Sequence, residues 1–290
     1  MDDMIEHRFI EARGARFHVA TCGEGPPLLL LHGWPEFWLT WQPVMHRLAS
    51  RFHLIAPDLR GFGESDKPAR DWGAEDHAAD MLALLEALNI ERAGIVGHDV
   101  GGAVMQPLAR MAPERCRGLF LFDFAHPAIG PALGTPDRLI EIWYQSFNQL
   151  PVAMAMMEGN EAATRAYFGH IIRHWCHRKG AFDGVMDAFV ANFMRPGNLA
   201  GGFGWYRAAA QGRLAVMRGE AVLLPRIEVP ACVRWGEHDP VLPFRFSTSL
   251  DQVFARLDLG MFPGVGHFPH MEDPDHAAVE IARFFDELEA

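Results

Sequence analysis

Apolar and polar positions alternate over residues 7–12 and again over 15–21, on either side of Arg13-Gly14, which predicts a β-hairpin. Residues 27–31, Pro-Leu-Leu-Leu-Leu, are apolar without a break, the pattern of a strand covered on both faces in a mostly parallel sheet. Residues 52–57, 118–124, 229–235 and 257–262 read the same way. Between these runs the period lengthens. Residues 38–48 look helical, and 74–88 bring Ala78, Met81, Leu82, Leu85 and Leu88 to one face at helical spacing. Strand and helix alternate, so the economical architecture is an α/β protein with a doubly wound, mostly parallel sheet and helices on both faces.

The alternation breaks between residues 127 and 217. No buried strand occurs there, and the stretch is rich in Met, Phe, Trp, Gly and helix formers, which predicts an all-helical insertion. The α/β order resumes with the strand at 229–235, a helix near 244–254, the strand at 257–262 and a closing helix at 274–288. The expected organisation is a first core part at 1–126, a helical cap at 127–217 and a second core part at 218–290. An insertion at this point of a doubly wound sheet sits over the carboxyl ends of the strands, where such folds bind ligands, and is expected to act as a lid.

With 290 residues, 49% hydrophobic and 22% charged, the chain has the make-up of a soluble globular protein, long enough for one large domain with an insertion. Its net charge of -11 argues against a nucleic-acid partner, which requires a basic face. The four cysteines, Cys22, Cys116, Cys176 and Cys232, have neither paired nor metal-type spacing, which points to a reducing, cytoplasmic setting. The N-terminus is acidic and lacks the apolar stretch of a signal peptide, and no window approaches a membrane span, so no membrane partner is expected.

Candidate chemistry centres on residues 92–102, Arg-Ala-Gly-Ile-Val-Gly-His-Asp-Val-Gly-Gly. An apolar strand ends in Gly97, Asp99 stands between Gly97 and Gly101, and a helix of small residues opens behind it. This is the strand, sharp turn and helix of a nucleophile elbow, which holds its central side chain clear of the sheet. The same five residues also suit an ordinary helix N-cap aspartate. As a nucleophile, Asp99 differs from the usual serine: a carboxylate is suited to displacing a leaving group from saturated carbon, giving an alkyl ester.

Three further motifs stand in order around the elbow: His32-Gly33-Trp34-Pro35, the turn-rich loop 58–65, and Gly264-Val265-Gly266-His267. With them the chain resembles an α/β-hydrolase over essentially its whole length. The aspartate at the elbow narrows the resemblance to epoxide hydrolases and to haloalkane and haloacetate dehalogenases. That resemblance implies His267 as general base and Asp239, after the strand at 229–235, as the acid that orients it. Asp123, at the end of the preceding core strand, is the rival for the acid. The oxyanion hole is expected from the backbone N–H groups of Trp34 and Val100. The bond before Pro35 is commonly cis in the family.

Halide and epoxide chemistry need different partners. Haloalkane dehalogenases supply a Trp directly after the nucleophile, where this chain has Val100. Haloacetate dehalogenases place Arg residues close behind it, and here none occurs before Arg110. An opening epoxide must receive a proton, for which neutral phenols are suited. The chain's three tyrosines, Tyr144, Tyr167 and Tyr206, all lie in the insertion. Tyr144 and Tyr206 match the two lid tyrosines of epoxide hydrolases, Gln145 takes the place of a halide-binding Trp, and Tyr167 reads as packing. Trp34, Phe147 and Trp205 are expected to line the substrate site, with Met154, Met156, Met157 and Phe203 nearby. His170, His174 and His177 have helical spacing, but no carboxylate completes a metal site, and no metal or cofactor is expected.

The expected function is therefore hydrolysis of a small apolar epoxide to a vicinal diol through an ester on Asp99, cleaved by water that His267 activates, in a monomer or homodimer. The alternatives are a dehalogenase using the same aspartate and, more distantly, a non-catalytic receptor or effector of the same fold.

Overall fold

The computed structural model describes residues 4–288. Eight strands form one sheet in the order β1-β2-β4-β3-β5-β6-β7-β8. They are β1 (Glu6–Ala12), β2 (Ala15–Cys22), β3 (Pro27–Leu31), β4 (His53–Pro57), β5 (Ala93–His98), β6 (Cys116–Phe122), β7 (Ala231–Gly236) and β8 (Leu257–Phe262). The hairpin β1–β2 is antiparallel, β2 runs antiparallel to β4, and every later pairing is parallel. The unbroken apolar runs end up covered on both sides, because alternate residues of one strand serve opposite cores. In β3, Leu29 and Leu31 enter one cluster, and Leu28 and Leu30 enter the other.

Helices α1 (Gln42–Leu48), α2 (Ala74–Ala87) and α3 (Val100–Met111) follow the early strands. Between β6 and β7 lie a 3-10 segment (Pro127–Gly134) and α4 (Pro136–Glu141), α5 (Trp143–Phe147), α6 (Pro151–Met157), α7 (Glu161–Trp175), α8 (Met186–Met194) and α9 (Asn198–Arg218). The chain closes with α10 (Pro269–Glu272) and α11 (Pro274–Glu287). Among the described residues no helix is long and apolar enough to cross a membrane. All four cysteines are buried, and no disulfide joins them.

Two expected elements differ. The helix near 244–254 is a 3-10 run, Phe244–Gln252, in which the hydroxyls of Ser247 and Thr248 bond back to the carbonyls of Phe244 and Arg245 three residues earlier, competing with α-helical pairing. The strand expected at 118–124 ends at Phe122, because Asp123 turns out of it with φ 33°.

Two contacts tie the helical segment to the sheet layer. Gly201 in α9 lies against Gly61, where a Cβ would meet the Gly61 carbonyl at 2.1 Å, so any side chain there would push α9 away. Glu272, which is buried, accepts the backbone N–H groups of His177 and Arg178 at 2.8 Å and those of Gly266 and Phe268 beside His267. One carboxylate thus ties the loop between α7 and α8 to the His267 loop.

Candidate active site

Asp99 adopts φ 45°, ψ -106°, a backbone conformation that side-chain-bearing residues rarely take and that here stands between β5 and α3. The turn is possible because its neighbours are small. A Cβ on Gly101 would lie 2.1 Å from the Leu31 carbonyl, and one on Gly97 would lie 2.3 Å from Met105 Sδ. The Asp99 amide donates to the carbonyl of Asp123, and Asp99 Oδ2 accepts the Trp34 N–H at 2.9 Å. Val100 is the first residue of α3, where a backbone N–H has no partner within the helix. The Trp34–Pro35 bond is cis.

His267 is buried and donates from Nδ1 to Asp239 Oδ2 at 2.7 Å. The other oxygen of Asp239 accepts the N–H groups of Val241 and Leu242 at 2.7 and 2.9 Å. Burial pulls the imidazole toward the neutral form, but the carboxylate of Asp239, and behind it that of Asp99, hold it up at about 9. The Asp99 carboxyl is raised by desolvation, against the pull of His267 and His98. Asp123, the rival acid, is not bonded to His267. Its Oδ1 accepts the Gly236 N–H at 2.8 Å, its Oδ2 is buried without a partner among the described residues, and burial followed by the charge of Asp239 raises it well above the usual range. A neutral carboxylic acid fits that position.

Above Asp99 stands an aromatic cluster built on Trp34. Tyr144 stacks on the Trp34 ring at 5.4 Å and Tyr206 meets it edge-on at 5.1 Å, with 5.6 Å between the two phenol rings. Both tyrosines are buried. Burial raises both hydroxyls strongly; for Tyr144 the Asp99 carboxylate adds to this, and for Tyr206 the Tyr144 phenol and then Asp99 do, so both remain proton donors across the physiological range. Tyr144 Oη accepts from Gln145 Nε2 at 3.2 Å. The Tyr167 hydroxyl donates to Asn148 Oδ1.

Phe147 and Trp205 are not among the rings that reach Trp34. Phe147 packs on Trp143 and Tyr167, and Trp205 faces His77 at 6.0 Å. Trp205 and Tyr206 are consecutive on α9 and so about 100° apart around it, which keeps both from facing Asp99 together. Of the three histidines at helical spacing, His170 and His174 stack and His174 pairs with Glu141, while His177 stacks on His238.

Sequence reasoning missed Trp175, which stands edge-on to His267 at 5.1 Å and whose carbonyl accepts the His267 N–H. It also missed a buried polar network behind the elbow. Glu36 Oε2 accepts from the Gly33 N–H and from His98 Nδ1, both at 2.7 Å, and Oε1 pairs with His270 Nε2 at 2.9 Å and with Thr40. His98 Nε2 donates to the His267 carbonyl at 2.6 Å, so the network joins the Trp34 loop, the elbow and the His267 loop. Burial works against the charge on Glu36, yet His98 and His270 hold its carboxyl well below the usual range. The ligand atoms of Glu36, His98 and His270 lie within 4.8 Å of one another, but they are engaged with one another, which describes a hydrogen-bond network rather than a metal cage. Glu36→Ala strands two buried histidines and the Gly33 N–H, and is expected to lower the unfolding free energy by about 3–5 kcal/mol, read as a reduced urea midpoint.

The model of the α/β-hydrolase fold family matches residues 26–166. The soluble epoxide hydrolase of Corynebacterium sp. strain C12 is 27% identical over 289 residues, covering 98% of this chain and 99% of that protein. Epoxide hydrolase 4 of Mus musculus is 30% identical over 277 residues, covering 92% of this chain and 75% of that one. The crystal structure of Cfl2 from Burkholderia cenocepacia superposes with a TM-score of 0.84 at 30% identity, covering 97% and 96% of the two chains. The chain belongs to the α/β-hydrolase fold family and is related, over nearly its whole length, to epoxide hydrolases.

Proposed function

We propose that the protein hydrolyses an epoxide to a vicinal diol through a covalent ester on Asp99. The observation that carries this reading is the pairing of a carboxylate at a strained turn with two neutral, buried phenols whose ionisation that carboxylate opposes. Asp99 attacks one epoxide carbon and the C–O bond to the ring oxygen breaks. The oxygen takes a proton from Tyr144 or Tyr206 as its charge develops. Water then adds to the ester carbonyl carbon while His267 Nε2 takes one of its protons, and Asp239 holds the resulting imidazolium. The tetrahedral oxyanion meets the N–H groups of Trp34 and Val100. The acyl carbon–oxygen bond breaks, the departing alkoxide takes the proton held on the His267 imidazolium, the proton left on the new Asp99 carboxyl returns to the phenolate, and the diol leaves with an oxygen that began on Asp99.

The timing of the base follows from charge. In the free enzyme Asp99 helps hold His267 protonated. Esterification removes that negative charge, which moves His267 toward the neutral form just when a base is needed. The helices between β6 and β7 act in this reading as a lid that carries the phenols and excludes bulk water.

A single turnover in heavy-oxygen water with fresh enzyme tests the route. The first diol released is expected to carry unlabelled oxygen at the attacked carbon, with label appearing there in later turnovers; label in the first diol means direct attack by water. Tyr144→Phe combined with Tyr206→Phe is expected to slow ester formation by about 10²–10⁴-fold, measured by rapid quench, while each single variant loses less.

A second reading, halide displacement by the same aspartate, is favoured by one observation. The Trp34 indole N–H is buried without a partner among the described residues and is a donor that a halide would take. Halide release from haloalkanes or fluoroacetate, without diol formation from styrene oxide, would select it.

A further inference from the structure

Arg213 is unlike the other charged side chains near the site. It lies two turns beyond Tyr206 on α9, on the same face of that helix, since seven residues are close to two full turns. Its side chain runs back toward Tyr206: Nη2 donates to the Tyr206 carbonyl at 3.3 Å, and the guanidinium carbon stands 5.9 Å from the centre of the Tyr206 ring. The residue is partly buried, and burial is the main influence on its charge. The titratable groups acting on it are the phenols of Tyr144 and Tyr206, which stay neutral; no carboxylate is among them. The nearby lid arginines differ: Arg207 is bidentate to Asp71, and Arg138 pairs with Asp137.

A guanidinium partly withdrawn from water, with one weak carbonyl bond and no anion among the described residues, lacks the partner that normally offsets its desolvation. Its remaining N–H groups form the planar fork that binds carboxylates in bidentate fashion. It also stands beside the phenols proposed to receive the epoxide oxygen.

Resting on the epoxide reading above, we propose that the substrate is an epoxide bearing a carboxylate a few carbons from the ring, and that Arg213 is the residue that binds this carboxylate. The Asp99 carboxylate repels such a substrate, and the Arg213 cation beside Tyr206 offsets that repulsion. It also sets which end of the molecule enters first, placing the oxirane between Asp99 and the phenols. Arg213 thus supplies a cation on the lid where the residues following Asp99 supply none.

The test compares a terminal epoxyhexanoate with its methyl ester on wild type, Arg213→Met and Arg213→Lys. Wild type is expected to favour the acid over the ester in kcat/KM. Arg213→Met is expected to lower kcat/KM for the acid by about 10- to 100-fold, mostly through KM, with the ester within about twofold, and Arg213→Lys is expected to recover part of the loss. Equal losses on acid and ester, or a wild type that prefers the ester, overturn the proposal. Binding of unreactive hexanoate against hexanamide, followed by tryptophan fluorescence on wild type and Arg213→Met, separates the two readings. If no epoxide is turned over but hexanoate binds in an Arg213-dependent way, the epoxide assignment fails and the carboxylate site stands. If styrene oxide is hydrolysed and hexanoate binds no better than hexanamide, the carboxylate site fails alone.

Discussion

Replacing Asp99 by alanine is expected to abolish diol formation, with kcat falling by at least about 10⁴-fold, because the carboxylate proposed to form the ester is then gone. The fold should tolerate the change. Asp99 holds φ 45° at some conformational cost, and its side chain makes one backbone bond, to the Trp34 amide, so the variant should unfold within about 1 kcal/mol of wild type. Styrene oxide hydrolysis followed by chromatography of the diol, with urea unfolding as the control, measures both. Residual diol above about 1% of wild type would point to direct attack by water and remove Asp99 from its assigned role.

His267→Ala is expected to divide the reaction in two. In the proposed reaction ester formation uses Asp99 and the phenols and should survive, while hydrolysis of the ester should lose its base. Incubation with substrate should give one equivalent of alkylated protein, seen as a mass increase equal to that of the epoxide, and steady turnover should fall by about 10³-fold or more. An unmodified mass alongside lost activity would mean that His267 acts before the ester forms.

The same residue gives stability a pH dependence whose sign is set by its raised value. Folded His267 is held at about 9, against an ordinary imidazole value of 6.5. Its contribution is fully present below pH 6.5 and is lost as pH rises through 9, since over that window the folded chain keeps a proton that the unfolded chain releases. The thermal midpoint of wild type is therefore expected to decline between pH 6.5 and 9, and the decline to be shallower in His267→Ala.

The elbow was legible because its cause is local. A glycine two residues before and two after Asp99, an apolar strand ahead and small residues behind specify a sharp turn with a projecting side chain. The strands were legible for the same reason: a run such as Leu28 to Leu31 can be satisfied only between two apolar layers, and the structure gives it two. The helix expected near residue 244 was less so, because Ser247 and Thr248 can bond their own backbone and their identity does not say which pairing prevails.

The choice between Asp239 and Asp123 depended on the tertiary structure. Both follow core strands, and only the loop after β7 sets one of them 2.7 Å from His267 while leaving the other with a single amide. The same holds for neighbours on α9. Tyr206 faces Trp34 and Trp205 faces His77, and nothing in the order of residues on a helix with apolar groups around much of its surface decides which ring turns inward. The bonds from Glu36 to His98 and His270 join residues 62 and 234 positions apart.

By itself the amino-acid order determined the sheet, the turn that presents Asp99 and the kinds of side chain available for chemistry, because these follow from local periodicity and backbone sterics. Only the folded chain decided which acid pairs with the histidine, which rings stand over the aspartate and that Arg213 lies beside Tyr206 with no anion against it among the described residues. Those are outcomes of distance and burial between segments remote in sequence, and they are settled when the helices close over the sheet.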